Sequence, residues 1–326
     1  MLTKLLLALL VLEHVRPFGS DAPGSDVYYS WVEGKRLLVG ENPYARVLSG
    51  DMRTNEKYAT YFPLFYLASA AVQAAGFADF GSWIAFFRVV FALFDAAIVA
   101  VLFWTLWRRG LELLAVFACF FWAASRWHLI EISIGQLDFI PIFFLLLSLA
   151  LLPRRPTLAY LCFGASLATK QIAIFLLPLY LVWAWQDAEE EPSRAAVRAA
   201  LWIAAIPAVL SLPFLVWNAE GYLRSLLFSA TRAPASHFEA QSLDAYFHLD
   251  GFGGRLPMLA LQLLVYACAA RGLVGRYTAV LLSLSVFVDL NTVLYVHYPC
   301  WVVPFVPLVA CDRVDALAAR AGPAHA

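Results

Sequence analysis

The chain has 326 residues, 62% of them hydrophobic and 14% charged, with a formal net charge of zero. Soluble domains carry about 25% charged residues, so this composition excludes a soluble globular protein, and the lack of any basic block removes the electrostatic footprint of nucleic-acid binding. The five cysteines, Cys119, Cys162, Cys268, Cys300 and Cys311, lie in or beside apolar stretches at spacings that fit neither a zinc site nor a redox pair, so they read as small buried hydrophobes.

A hydrocarbon core of about 30 Å takes about 20 helical residues to cross. The chain therefore reads as an all-α, polytopic membrane protein of about 10–11 transmembrane helices in one domain, residues 1–326. Apolar runs predict helices near Leu2–Val15, Phe62–Phe77, Trp83–Trp107, Leu111–Trp127, Leu137–Leu152, Leu158–Thr169, Ile172–Trp185, Ala196–Trp217, Leu256–Ala270, Thr278–Val296 and Pro299–Cys311. Several are short for a full crossing, Leu158–Thr169 above all, and call for tilt or a break. Lys4 ahead of a short apolar core allows a signal peptide over Met1–Ala22, but Glu13, His14 and Arg16 follow at once without a small-x-small site, so the first run reads as an uncleaved helix.

After that run, Tyr28, Trp31, Val32, Leu38 and Val39 share one face of a helix over Asp26–Val39, with Ser30, Glu33 and Arg36 on the other. A helix of this kind suits a membrane interface, its aromatic side toward lipid. Asn42-Pro43 marks a turn, and Leu48–Thr60 is a polar loop leading into Tyr61. A second long loop is expected over Asn218–Arg255, where Gly251, Gly253 and Gly254 read as flexible turns, because no strand precedes them and no Lys-Ser/Thr follows.

Positive charge gathers at Lys4, Arg108/Arg109, Arg154/Arg155, Arg194/Arg198, Arg271/Arg276 and Arg313/Arg320, which the positive-inside rule assigns to the cytoplasm. Asp26, the Gly135–Asp138 corner, Lys170, the Asn218–Arg255 loop and His297 then fall on the opposite side. One conflict stands: two apolar runs, Phe62–Phe77 and Trp83–Trp107, separate Asp26 from Arg108 where the charges ask for one crossing. Either the first is re-entrant or one charge pair breaks the rule.

Within this apolar pattern a few side chains can do chemistry. Asp26 serves as a helix cap or as a carboxylate base held where the chain leaves the bilayer. Lys170 interrupts the stretch Tyr160–Trp185 and either snorkels to headgroups or pairs with an anion. Arg88 and Asp95, at i and i+7, read as an ion pair along one helix, or Arg88 as an anion ligand if it faces outward. Asp138, after Gly135-Gln136, can complement the dipole of the helix it opens. His128 and Glu131 stand one turn apart, but two ligands without a third are few for zinc. His297, opening His297-Tyr298-Pro299, sits at an interface where histidine is often structural.

Taken in order, Ser25-Asp26-Val27, Gly40-Glu41-Asn42-Pro43-Tyr44, Tyr61-Phe62-Pro63-Leu64, Gly135-Gln136-Leu137-Asp138, Thr169-Lys170-Gln171 and His297-Tyr298 resemble the motifs of the glycosyltransferase-C superfamily. The pattern is most similar to the polyprenyl-phosphate-mannose-dependent mannosyltransferases of the family 87 and GPI-mannosyltransferase kinds. That resemblance implies an essential acid in the first external loop, here Asp26, with Lys170 and His297 on the donor phosphate, which Arg88 joins if it faces outward. Tyr61, Tyr298, Gln136 and Asp138 become substrate contacts on the same ground. Some branches carry Asp-x-Asp where this chain has one acid, and Phe62 replaces a proline; the single acid fits branches that work without metal, so no metal and no other cofactor is expected.

The implied reaction moves a sugar, mannose by resemblance, from a polyprenyl-phosphate carrier to a hydroxyl on a glycolipid, glycan or protein acceptor outside the cytoplasm. Membrane lipids are the remaining partner, and nucleic acid is none. A phosphate leaves without a proton at neutral pH, so one carboxylate to take the acceptor proton and a few cations suffice. An inverting displacement sets that carboxylate opposite the leaving group. The rival class, a multi-pass transporter or lipid flippase, also keeps ionisable groups in the membrane, but repeat-built transporters show matching halves with broken helices, a symmetry absent from this sequence.

Overall fold

A computed structural model describes residues 26–50, 59–231, 246–247, 251–291 and 294–321. It is 80% helical, with twelve α-helices and no strand among the described residues. These are α1 (Asp26–Leu38), α2 (Leu64–Ala74), α3 (Phe80–Trp107), α4 (Glu112–Ala123), α5 (Arg126–Ile134), α6 (Phe139–Leu151), α7 (Pro156–Thr169), α8 (Leu177–Gln186), α9 (Pro192–Thr231), α10 (Gly251–Ala270), α11 (Arg276–Leu290) and α12 (Phe305–Ala321). Short 3₁₀ turns stand at Ala45–Leu48, Gln171–Leu176 and Tyr298–Trp301. The expected first run, Leu2–Val15, and the middle of the expected Leu48–Thr60 loop lie outside the described residues.

The other apolar runs are helical, as backbone in a lipid core must be to satisfy its own hydrogen bonds. Among the described residues three helices are long and apolar enough to cross a membrane, Phe80–Trp107, Pro192–Phe228 and Gly253–Ala270, and a fourth crossing forms if Glu112–Ala123 and Arg126–Ile134, bent by 44°, count as one. Leu64–Ala74, Phe139–Leu151 and Gln171–Gln186 are apolar but shorter. The 11 residues of α2 rise only about 17 Å, roughly half of the hydrocarbon thickness. Large apolar side chains stand bare along these helices, Leu113 of α4 85% exposed and Val216 and Val209 of α9 81% and 71%. Water would penalise these surfaces and lipid does not, so the chain is an integral membrane protein.

Two compact units divide the chain: Met1–Ala97 with Glu131–Ile172 and Leu201–Ala233, and Ile98–Ile130 with Ala173–Ala200 and Pro234–Ala326. In the first, α1 packs on α2 through its polar side. Ser30 and Glu33 are 1% and 0% exposed, whereas Leu38 and Val39 are 49% and 67% exposed. The Ser69 hydroxyl donates to the Ser30 carbonyl at 2.8 Å, and the Gln73 amide to that of Trp31 at 2.9 Å. Gly34 makes the approach possible, since a Cβ there would meet Ser69 Oγ at 2.3 Å. The face expected to point away from lipid is therefore held by α2, while on the aromatic face Tyr28 and Trp31 are half-buried against Phe80, with the Trp31 indole N–H donating to the Ala78 carbonyl at 3.1 Å.

Glu33, buried on that face, takes Arg46 at 2.5 Å and Arg36 at 3.4 Å. Dehydration outweighs both guanidiniums and pushes its carboxyl up to about 7. Because this lies above the ordinary value of 4.5, the associated stability is complete below that pH and is lost as pH rises through about 7. The loss is on the order of 3 kcal/mol. The melting temperature of the purified protein should fall between pH 5 and pH 8, and Glu33→Gln should flatten that slope; a parallel slope in both proteins would assign it to another group.

The same unit holds an antiparallel hairpin of α6 and α7, riveted by Ser148 Oγ to the Ala159 carbonyl (2.7 Å) and Ser166 Oγ to that of Pro141 (2.8 Å). Small residues line α7, and Gly164 lets the Ile203 carbonyl of α9 approach to where a Cβ would sit 2.4 Å away, the usual device for close helix packing in lipid. Helix α9 breaks at Asn218, which is extended (φ −159°). Its side chain then accepts the Gly221 N–H at 2.9 Å and caps a new helical stretch to Thr231. The start of the expected Asn218–Arg255 loop is thus helical, as is its end, where Gly251, Gly253 and Gly254 open α10.

In the second unit, polar contacts tie helix ends together. The Asp312 carboxylate of α12 accepts the Tyr277 and Thr278 N–H groups (3.1 and 2.7 Å), capping α11. Arg109 forms a two-pronged pair with Asp315, both contacts at 3.1 Å, and Arg276 pairs with Asp187 at 2.5 Å. Gln262 of α10 donates to the Ser283 carbonyl of α11 at 2.8 Å.

Candidate functional site

The first unit gathers most of the polar side chains singled out from the sequence. The α6–α7 hairpin explains the central pair: α6 opens at Asp138 and α7 closes at Lys170, so an antiparallel return of 13 and 14 residues brings start and end together. The Lys170 ammonium lies 2.8 Å from both carboxylate oxygens of Asp138, with the side chains 1% and 0% exposed. Asp138 makes no capping hydrogen bond to its own helix, so its partner is a cation and not the helix dipole. Lys170 reaches inward instead of snorkelling to headgroups.

The corner before Asp138 is built by the C-terminus of α5. Gly135 adopts φ +62°, its N–H bonding the Ile132 carbonyl (3.1 Å) and the next N–H, of Gln136, that of Glu131 (3.3 Å). This 5→2 and 6→1 pattern is a Schellman stop, which needs a left-handed residue and so favours glycine. Glu131 then folds back, its Oε1 accepting the Asp138 N–H at 3.1 Å. Gln136 is buried on the same corner, 5% exposed.

Asp26 is the first residue of α1 and half-buried. Its Oδ2 accepts the Tyr61 hydroxyl at 2.9 Å, and the Tyr61 ring in turn has the Lys170 ammonium 5.5 Å from its centre. Tyr61 is fixed by its own main chain: the Tyr44 hydroxyl donates to the Tyr61 carbonyl at 2.7 Å, and its N–H meets the Tyr66 hydroxyl at 3.3 Å. Tyr44 sits fully buried among Tyr66, Phe214 and Tyr222, its N–H taken by the Asn42 side chain at 2.9 Å. The role of Asn42-Pro43-Tyr44 is thus to hold Tyr61 to Asp26. Lys170 feels three carboxylates, Asp138, Asp26 and Glu131.

The remaining candidates stand apart from this description. Arg88, half-buried, and Asp95, fully buried, lie on α3 within the first unit. His297 and Tyr298 belong to the second unit, where buried His297 leads into the 3₁₀ turn Tyr298–Trp301 and packs edge-on against Tyr298 with ring centres 5.2 Å apart. His128, also buried in that unit, lies against the Trp122 ring at 4.9 Å.

Replacing Tyr61 by Phe removes a hydrogen bond to a charged group, worth about 1.5–3 kcal/mol. Turnover should fall about 10- to 100-fold while the melting temperature stays near that of the parent, because the ring and its backbone contacts remain. An unchanged turnover would detach Tyr61 from Asp26 in function.

Among known families, the model of glycosyltransferase family 87 matches residues 59–295. The match takes in Tyr61, Arg88, Gln136, Asp138 and Lys170 and ends before His297 and Tyr298, with Asp26 ahead of it. No curated protein and no solved structure matched the chain.

Proposed function

The chain belongs to glycosyltransferase family 87, an integral membrane enzyme acting on a sugar donor and an acceptor, and on that premise we propose that its donor is a polyprenyl-phosphate sugar, mannose by resemblance, and its base Asp26. The observation that carries this reading is the division of labour around Tyr61. The Tyr61 hydroxyl bonds the Asp26 carboxylate, and its ring faces the Lys170 ammonium that pairs with Asp138. A base must be aimed at the proton it takes, and the phenol aims this carboxylate.

In the reaction, the acceptor hydroxyl gives its proton to Asp26 as its oxygen bonds to the anomeric carbon. The bond from that carbon to the phosphate oxygen breaks, and the carrier leaves as its phosphate dianion with inversion at the sugar. Glycolipid, glycan or protein hydroxyls are all chemically competent acceptors. Lys170, drawn partly from Asp138, takes up the departing charge with Arg88, and Gln136 and Asp138 complete the substrate contacts; His297 and Tyr298, of the second unit, enter by the family resemblance alone.

Arginine pairs at alternate helix ends support an extracytoplasmic site. The half-length of α2 supports it too, since α3 then remains as the one crossing between Asp26 and Arg108. In a cysteine-free background, Glu41→Cys should react with an impermeant thiol reagent in intact cells and Arg154→Cys should not. Both side chains are exposed. The reverse labelling would put the site in the cytoplasm. Turnover of purified enzyme with polyprenyl-phosphate sugars, against silence with nucleotide sugars, tests the donor directly.

A further inference from the structure

Beside the Asp138–Lys170 pair stand two buried side-chain acceptors, on Glu131 and Gln136, that meet no donor. Glu131 is 0% exposed, and while its Oε1 takes the Asp138 N–H, its Oε2 meets no donor. The Glu131 and Asp138 carboxylates offer oxygens within 4.8 Å of each other. Gln136, on the same corner and 5% exposed, also keeps its Oε1 without a donor. Buried acceptors without partners are uncommon in folded proteins because each forfeits its hydration. What complements such a corner must bring hydrogens. A phosphate brings none at neutral pH; a pyranose brings several hydroxyls.

We propose that Glu131, with Gln136 beside it, is a sugar-recognition residue that accepts hydrogen bonds from ring hydroxyls. This rests on the reading of the site as one that handles a glycosyl substrate, and it adds a residue that no motif in the sequence marks. Glu131 acts in two directions, Oε1 fixing the corner that carries Asp138 and Oε2 meeting the ligand. A hydroxyl-binding site rejects the deoxy analogue strongly, since the buried acceptor is left bare.

The test uses the full-length protein in detergent or nanodiscs. Saturation-transfer NMR with methyl pyranosides should show at least one sugar bound by the parent, weakened roughly tenfold or more in Glu131→Gln, which keeps the contact to the Asp138 N–H but turns the Oε2 position into a donor. Removing the recognised hydroxyl should cost the parent the same factor and the variant little. No bound sugar, or equal binding in both proteins, overturns the proposal, as does recovery of the variant's binding without regard to which hydroxyl is present. If Glu131→Gln does not fold, Glu131→Asp and the deoxy panel on the parent alone decide, a flat panel being the overturning result. Deoxy positions placed in turn on donor and acceptor, read as separate KM changes, tell which sugar is held. Because the NMR arm contains no carrier, its failure sinks Glu131, whereas silence of polyprenyl-phosphate donors in the transfer assay sinks the donor reading.

Discussion

Asp26→Asn is expected to lower transfer by about 10²–10⁴-fold, the range lost with a general base, while membrane abundance and melting temperature stay at parental values. Asparagine keeps the size of the side chain and an oxygen that can still accept the Tyr61 hydroxyl, now at 2.9 Å from Asp26. The Ser30 hydroxyl bonds the Asp26 carbonyl, not its side chain, and is untouched. What disappears is the capacity to take a proton. Purified variant and parent compared under single-turnover conditions give the measurement, and near-parental turnover would remove Asp26 from the role of base.

A second large effect separates folding from chemistry at Lys170. Lys170→Ala leaves Asp138, 0% exposed, as a buried charge without its lysine, and loss of one partner of a buried pair costs about 3–5 kcal/mol. The single variant should therefore melt far below the parent or fail to accumulate. Lys170→Met combined with Asp138→Asn removes both charges and should recover most of that stability, since apolar replacement of a whole buried pair is often neutral. Recovered folding with transfer still absent is the expected outcome. Normal donor KM in the double variant would move the phosphate site away from Lys170.

The sequence made Asp26, Asp138 and Lys170 conspicuous because charge in an apolar run is costly and therefore purposeful. Their partners were not legible in the same way. Lys170 reads equally as a snorkelling residue or an anion ligand, and only the antiparallel return of α7 on α6 supplies Asp138. Helix periodicity separated the polar face of α1 from its aromatic one, yet could not tell that the Ser69 hydroxyl and Gln73 amide of α2 await the polar face, across Gly34 of α1 itself. Glu131 was visible only as half of a sparse pair with His128; its bearing on Asp138 depends on the left-handed turn at Gly135, which sets the chain back on itself. The Asn218–Thr231 segment reads as loop because polar residues interrupt it, whereas the capping side chain of Asn218 restarts a helix there. Long apolar helices were the most legible elements, being fixed by local composition, and side-chain pairings the least: Lys170 meets Asp138 across 32 positions and Tyr61 meets Asp26 across 35.

Helix α1 is a spindle with a notch. Successive residues turn about 100° around its axis, and the notch at Gly34 admits Ser69 in one rotational setting alone, since any side chain there would meet that hydroxyl at 2.3 Å. Two hydrogen bonds to successive carbonyls, Ser30 and Trp31, lock the same setting. Slippage by a single residue would swing Asp26 more than a quarter turn from Tyr61. The aim of the carboxylate is therefore fixed two turns away, by a residue with no side chain.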